Sequence, residues 1–240
     1  MEKDKVQVNE TMNINKSENY LKLGIFGAIL TLIGDMLIGC VQFPDGADLL
    51  DGYLGAALAL PVWRPILGGL IGCLGICLEV PAMLTIYPLF KNKMPKSAAF
   101  YKISAYGYLA LGGGAVHLPC GVFMWIYHTV NDKAGQEIAY NIAVEYLLCF
   151  LLPVTLVFFV FFFGANIIQF IAFIKGNTPF PKWYCIFNLL IFMCVFNSVR
   201  LVGNHAITNG IGTSNKSIGA IVMFAALLIG YRKYVSENTK

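Results

Sequence analysis

The chain has 240 residues, 58% hydrophobic and 12% charged, with a formal net charge of +4. A soluble globular domain carries roughly twice that share of charge, so no separate soluble domain is expected. The small positive balance is no nucleic-acid signal, because the lysines flank apolar runs, where they orient spans and meet anionic lipid.

In chain order, residues 1–22 are polar and mixed in charge and read as a disordered cytoplasmic tail. Apolar runs long enough to cross a bilayer follow at Leu23–Phe43, Leu67–Leu89, Ile103–Tyr127, Ile142–Phe173, Trp183–Asn204 and Ser217–Tyr234. The first lacks a small-residue cleavage site after it and is expected to persist as a span. The third and fourth exceed bilayer thickness, and Pro119 and Pro153 are the expected bends. The expected fold is therefore all-α: a six-helix transmembrane domain over 23–234, with a short tail at 235–240. Between the first two runs, Pro44 to Pro65 holds an apolar stretch too short to span. It reads as an interfacial helix capped by Asp51, with a re-entrant lid as the second reading. The loop from Ile207 to Lys216, rich in Gly, Asn, Ser and Thr, reads as a flexible turn.

Charge sets direction. Thirteen of the seventeen basic residues fall on one side of these runs, leaving Arg64, Lys133 and Lys216 on the other and Arg200 inside a run. The positive-inside rule then places both termini in the cytoplasm. Lys216 is read here as an outer-loop residue.

Polar side chains within the runs carry the functional signal, since a charge at membrane depth lines a cavity or meets a partner. The candidates for ligand binding or proton coupling are Asp35, Glu79, His117, Glu145, Asn197, Arg200, Asn204 and His205. Asp35 sits between Gly34 and Gly39, with Arg200 as its expected partner. Glu79 precedes Pro81, which frees a backbone carbonyl one turn earlier. His117 follows three glycines and precedes Pro119; with Glu79 it would make an acid/base pair. Asn197, Arg200 and Asn204 share one helical face. Each has a structural alternative as well: a helix-locking pair, a satisfied buried group, or an arginine snorkelling to the head groups.

No catalytic signature is present, so catalytic residues are unknown and the chain is not assigned as an enzyme. The seven cysteines lie in or beside apolar runs and read as packing groups, and His117 and His128 are too far apart along a helix to share a metal. No metal and no cofactor are expected.

Gly34-Asp35, the Pro61-Val62-Trp63-Arg64 segment, Gly68, Gly69, Gly72 and Gly75, and the glycine-rich approach to His117 together resemble a family of uncharacterised bacterial six-span membrane proteins. The resemblance covers roughly the first half of the chain. It implies a multi-pass protein of the bacterial cytoplasmic membrane and no known activity. The leading functional reading is an outward-facing polar pocket that binds or transports a small or amphipathic ligand. An intramembrane lipid-modifying enzyme using Glu79 and His117 is the second reading, and a structural or signalling protein the third. The expected partners are the lipid bilayer and a small-molecule or lipid ligand. The oligomeric state is not read from the sequence.

Overall fold

The computed structural model describes residues 2–238, with side chains described for 15–48 and 50–234. The described residues form helices and turns, without a strand. They include five helices long and apolar enough to cross a membrane by length and composition: Asn15–Gly39, Trp63–Phe90, Pro95–Ala134, Gln136–Ile174 and Asn215–Tyr234. Large apolar side chains on the outside, among them Phe150, Leu74 and Val160, are more than half exposed. An apolar exterior on apolar helices of this length points to a multi-pass membrane protein.

Helix α1 (Glu2–Gly39) carries the first run, its apolar part following Lys22. Asn15–Lys22, expected within a disordered tail, is thus helical, with Glu18 bonded to Arg232 of the last helix at 3.3 Å. Met1 lies outside the described residues, as do Thr239 and Lys240 of the expected second tail.

The loop between the first two runs forms α2 (Leu49–Ala59). Its cap is Asp48 rather than Asp51: Asp48 Oδ1 accepts from the Asp51 N–H at 2.9 Å. Leu54, Ala56, Ala57 and Leu60 are buried against Phe123, Met124 and Tyr127. The helix is folded onto the end of the bundle, which favours the lid reading over a helix lying in head groups.

The second run is α3 (Trp63–Leu84) followed by α4 (Tyr87–Phe90). α1 and α3 cross through interlocking glycines. A methyl group on Gly34 would lie 2.6 Å from the Gly68 carbonyl oxygen, and one on Gly27 would lie 2.6 Å from that of Gly75. Small residues at a helix crossing let backbones approach where apolar burial gives no net drive in lipid.

The third run joins α5 (Pro95–Gly107) to α6 (Leu118–Ala134) through a π-helical stretch, Tyr108–His117. The fourth joins α7 (Gln136–Tyr146) to α8 (Leu152–Ile174) through a second, Leu147–Leu151. Each stretch ends at a Leu-Pro pair, with Leu118 N–H bonded to Gly113 O and Leu152 N–H to Leu147 O, five residues back. The expected proline bends thus take the form of wider turns, which move the backbone away from the ring's clash with the preceding turn.

The expected fifth span is not one continuous helix. Lys182–Phe187 is 3₁₀, Asn188 is extended, α9 (Leu189–Asn197) follows and Ser198–Val202 is again 3₁₀. The continuous apolar part, Leu189–Val202, is shorter than the roughly 20 residues of an α-helical span. Asn188 causes the break: its Oδ1 caps Leu190 N–H at 3.1 Å while its amide donates to Asn166 O at 2.9 Å. The segment's ends are tied to opposite ends of other helices. Tyr184 packs over Gly230, and Asn204 pairs with both backbone groups of Phe43, at 2.8 and 3.1 Å.

The loop expected as a flexible turn is also helical. α10 (Ala206–Thr213) packs Gly210 on Cys40, and after Ser214 the chain enters α11 (Asn215–Asn238). This carries Lys216 out of the loop and into the bundle.

The glycine crossing makes a direct prediction. Gly34→Ala should destabilise the protein by about 1–3 kcal/mol, the usual range for overpacking. Gly114→Ala, at a position with nothing within 4 Å, should stay within about 0.5 kcal/mol. Thermal unfolding of both variants in detergent checks this, and equal midpoints would contradict the close crossing.

Candidate functional site

Two polar clusters lie side by side where α1, α3, the first π stretch and the start of α11 meet. The first is closed. Glu79 on α3 is 1% exposed. Its Oε1 accepts from Thr31 Oγ1 at 2.9 Å and its Oε2 from the Tyr108 hydroxyl at 2.8 Å. Lys216 Nζ donates to both oxygens at 2.7 Å. The same ammonium stands 5.2 Å from the centroid of the Tyr108 ring, so it has a cation–π contact as well as its ion pair. Every partner comes from a different element, and the carboxylate is saturated.

The second cluster is open. Asp35, one turn beyond Thr31 on α1, accepts from Ser217 Oγ through Oδ2. Its Oδ1 faces His117 Nδ1 at 3.6 Å, within ion-pair reach but beyond a hydrogen bond. His117 Nε2 lies 3.3 Å from the Gly68 carbonyl oxygen. The ring occupies the space a side chain at Gly72 would fill. The three glycines before His117 play the expected part at Gly113, where a methyl group would lie 2.9 Å from the Cys73 carbonyl oxygen.

Asp35 and His117 border a cavity of about 520 Å³. Tyr53 and Leu50 of α2 line it from above, Cys120 and Met124 of α6 from one side, and Leu147 and Leu151 of the second π stretch from the other. Its surface is mainly apolar, with polar atoms gathered at Asp35, His117, Tyr53 and Thr213. Tyr53 and Thr213 hydroxyls are 3.0 Å apart, and Arg200 Nη2 reaches them at 3.2 and 3.0 Å. Arg200 is therefore not the partner of Asp35. It is held against Gly212 beside the cavity-lining Tyr53 and Thr213, and its buried Nε has no hydrogen-bond partner among the described residues.

The remaining candidates divide. Asn204 does structural work: besides Phe43, its Oδ1 accepts from Asn209 at 2.9 Å. Glu145 and Asn197 are exposed, Asn197 touching Asn215 at 3.5 Å. His205 is exposed at the start of α10, its N–H donating to Thr208 Oγ1 at 3.1 Å. Of the eight, Asp35 and His117 meet, Glu79 lies beside them without lining the cavity, and Arg200 stands at its edge. The Glu79–His117 acid/base pair is not formed, because Glu79 is enclosed by its own three partners.

The chain matches the model described as "Family of unknown function (DUF6796)" over residues 12–234. It belongs to that family. Neither a curated protein nor a solved structure matches the chain.

In this DUF6796 protein the decisive residue missing from the sequence candidates is Lys216. Hydropathy places it in a loop, but its helix begins at Asn215 and its side chain points back into the bundle. The available signal was its scarcity: it is one of only three basic residues assigned to the outer side, and it directly precedes an apolar run. Arg64 is a second basic residue that hydropathy leaves in a loop. It caps the end of α1, with Nε donating to Leu37 O at 2.9 Å and Nη2 to the Met36 and Cys40 carbonyls at 3.2 Å.

Removing one member of a buried pair strands the other charge. Lys216→Met should therefore destabilise the protein by about 3–5 kcal/mol, while Glu79→Leu combined with Lys216→Met should recover most of that loss. A double-mutant cycle of thermal unfolding in detergent reads the coupling; additive effects would contradict a direct pair.

Proposed function

We propose that the protein is a six-pass membrane protein with both ends at the cytoplasmic face, and that its outer cavity binds a small amphipathic ligand. Support for the direction comes from the lysines: Lys22, Lys91, Lys93, Lys175 and Lys182 cluster with Arg232 at the end opposite α2. Support for six passes comes from the broken segment at 182–202, whose ends are tied to opposite ends of the bundle. A 3₁₀ stretch rises about 2.0 Å per residue against 1.5 Å in an α-helix, so this mixed segment spans more height than its residue count implies.

The observation that carries the functional reading is the cavity itself. At about 520 Å³ it falls within the range of small-ligand pockets, and it pairs apolar walls with a few convergent polar groups. A ligand's apolar part fits between Leu50, Met124, Leu147 and Leu151. Its polar end meets Asp35, His117 and the Tyr53 hydroxyl, and the 3.6 Å contact between Asp35 and His117, too long for a hydrogen bond, leaves both with polar capacity to offer a ligand. Glu79 and Lys216 lie behind Asp35, next to the cavity, tied to each other by their ion pair. Transport across the membrane requires a path past this ion pair, and lipid chemistry through Glu79 requires its three partners to release it, so binding is the reading the geometry favours.

Native mass spectrometry of gently extracted protein tests this. The wild type should carry a bound amphipath. Asp35→Asn and the cavity-filling Leu50→Trp should each lower its occupancy about tenfold, the effect of roughly 1.4 kcal/mol. A wild type that never retains such a molecule, or occupancy unchanged in both variants, would sink the proposal.

A further inference from the structure

A second concavity, of about 620 Å³, lies at the opposite end of the bundle. It is framed by the turn after α4, which carries Lys91 and Lys93, and by the turn after α8, which carries Asn177 and Thr178. Tyr231 of α11 and Leu89 close its inner side. Among the described residues no carboxylate lines it. The nearest helix-borne acid described at this end, Glu18, is already engaged by Lys22 and Arg232, at 3.8 and 3.3 Å. Among the described residues neither Lys91 nor Lys93 has a carboxylate partner, so their charge faces the concavity uncompensated.

The frame is rigid where it matters. α8 ends in a Schellman turn: Gly176 N–H bonds Phe173 O and Asn177 N–H bonds Ala172 O, both at 2.9 Å, with Gly176 at φ +70. Lys93 Nζ donates to Gly176 O at 3.2 Å, tying the two turns together. The Tyr231 hydroxyl is anchored on Thr85 O at 2.7 Å. The side-chain amide of Asn177, half-buried in this wall, makes no hydrogen bond among the described residues, and the Thr178 hydroxyl has only a long contact of 3.4 Å to Phe180 O. Ammonium groups, a free amide donor and a weakly engaged hydroxyl around one concavity are the chemistry that holds phosphoryl oxygens.

We propose that this inner pocket binds an anionic phosphoryl group. Lys91 and Lys93 supply the charge, and Asn177 and Thr178 supply the directional contacts. The group arrives either as the head group of an anionic phospholipid, its glycerol end resting on Leu89, or as a free phosphate from solution. The site is independent of the outer cavity.

The test uses the full chain in detergent, titrated separately with inorganic phosphate, short-chain phosphatidylglycerol and short-chain phosphatidylcholine, with binding read by native mass spectrometry and calorimetry. Binding of phosphatidylglycerol alone identifies a head-group site; binding of inorganic phosphate identifies a soluble-anion site. In either case Lys91→Gln with Lys93→Gln should weaken binding about tenfold. Asn177→Leu, which leaves every charge in place, should weaken it severalfold, and Lys91→Gln alone provides a variant that disturbs no hydrogen bond. The proposal is overturned if neither anion binds, if phosphatidylcholine binds as tightly as phosphatidylglycerol, or if Asn177→Leu binds like the wild type. The last result would reduce the effect to surface charge.

Discussion

A carboxylate buried to 1% exposure in an apolar bundle must be met on every side, and Glu79 is met from three separate elements. Thr31 comes from α1, Tyr108 from the head of the π stretch and Lys216 from the first turn of α11. An ion pair in this setting contributes little net stability once desolvation is counted. What it does is choose among arrangements, because a helix that slides or rotates leaves a charge in hydrocarbon. The register of α1, α3 and α11 follows from that demand. The break at Ser214 follows too, since it lets α11 start at the depth of Glu79.

The second carboxylate inherits its surroundings from the first. Asp35 is one turn from Thr31, and Ser217 is the neighbour of Lys216, so closing the Glu79 cluster brings Ser217 to Asp35. His117 completes the pair only because Gly72 lacks a side chain and leaves its space to the imidazole. The outcome is two unlike sites in contact: a saturated one that organises helices, and an incompletely satisfied one that faces a cavity. Unmet polar capacity beside apolar walls is the condition for ligand binding, and it is found on the Asp35 side alone.

Both π stretches border that cavity, one through His117 and the other through Leu147 and Leu151. Each precedes a Leu-Pro pair, so the same local chemistry, a missing N–H and a ring in conflict with the preceding turn, widens two neighbouring helices at one level. The wider turns redirect side chains that a regular α-helix would point elsewhere. At the other end of the bundle the concavity is framed by turns rather than by spans, and the charged side chains lining it among the described residues are the lysines Lys91 and Lys93. The two ends therefore differ in chemistry: a mixed, mostly apolar chamber at one, and a cationic notch at the other.

Much of this was legible in the chain. Long apolar runs declare their helices because backbone groups in hydrocarbon must bond within their own segment, and four of the expected spans reappear with shifted ends and a fifth with a helical extension. Asp35, Glu79 and His117 stood out because charge in an apolar run is rare. The broken segment at 182–202 was not legible, since hydropathy does not register that Asn188 serves two partners at once. Nor was Lys216, because a loop-like composition of Gly, Asn, Ser and Thr hides the preceding helix, which is held by tertiary contacts: Gly210 packs on Cys40, Gly212 on Arg200, and Asn209 bonds Val41 O. Local composition by itself determined which stretches are apolar helices and which charges are anomalous there. Only tertiary structure decided which charge meets which, because pairing depends on helix rotation and depth. Those are set by glycine contacts and π turns whose effect exists only once the neighbouring helices are in place.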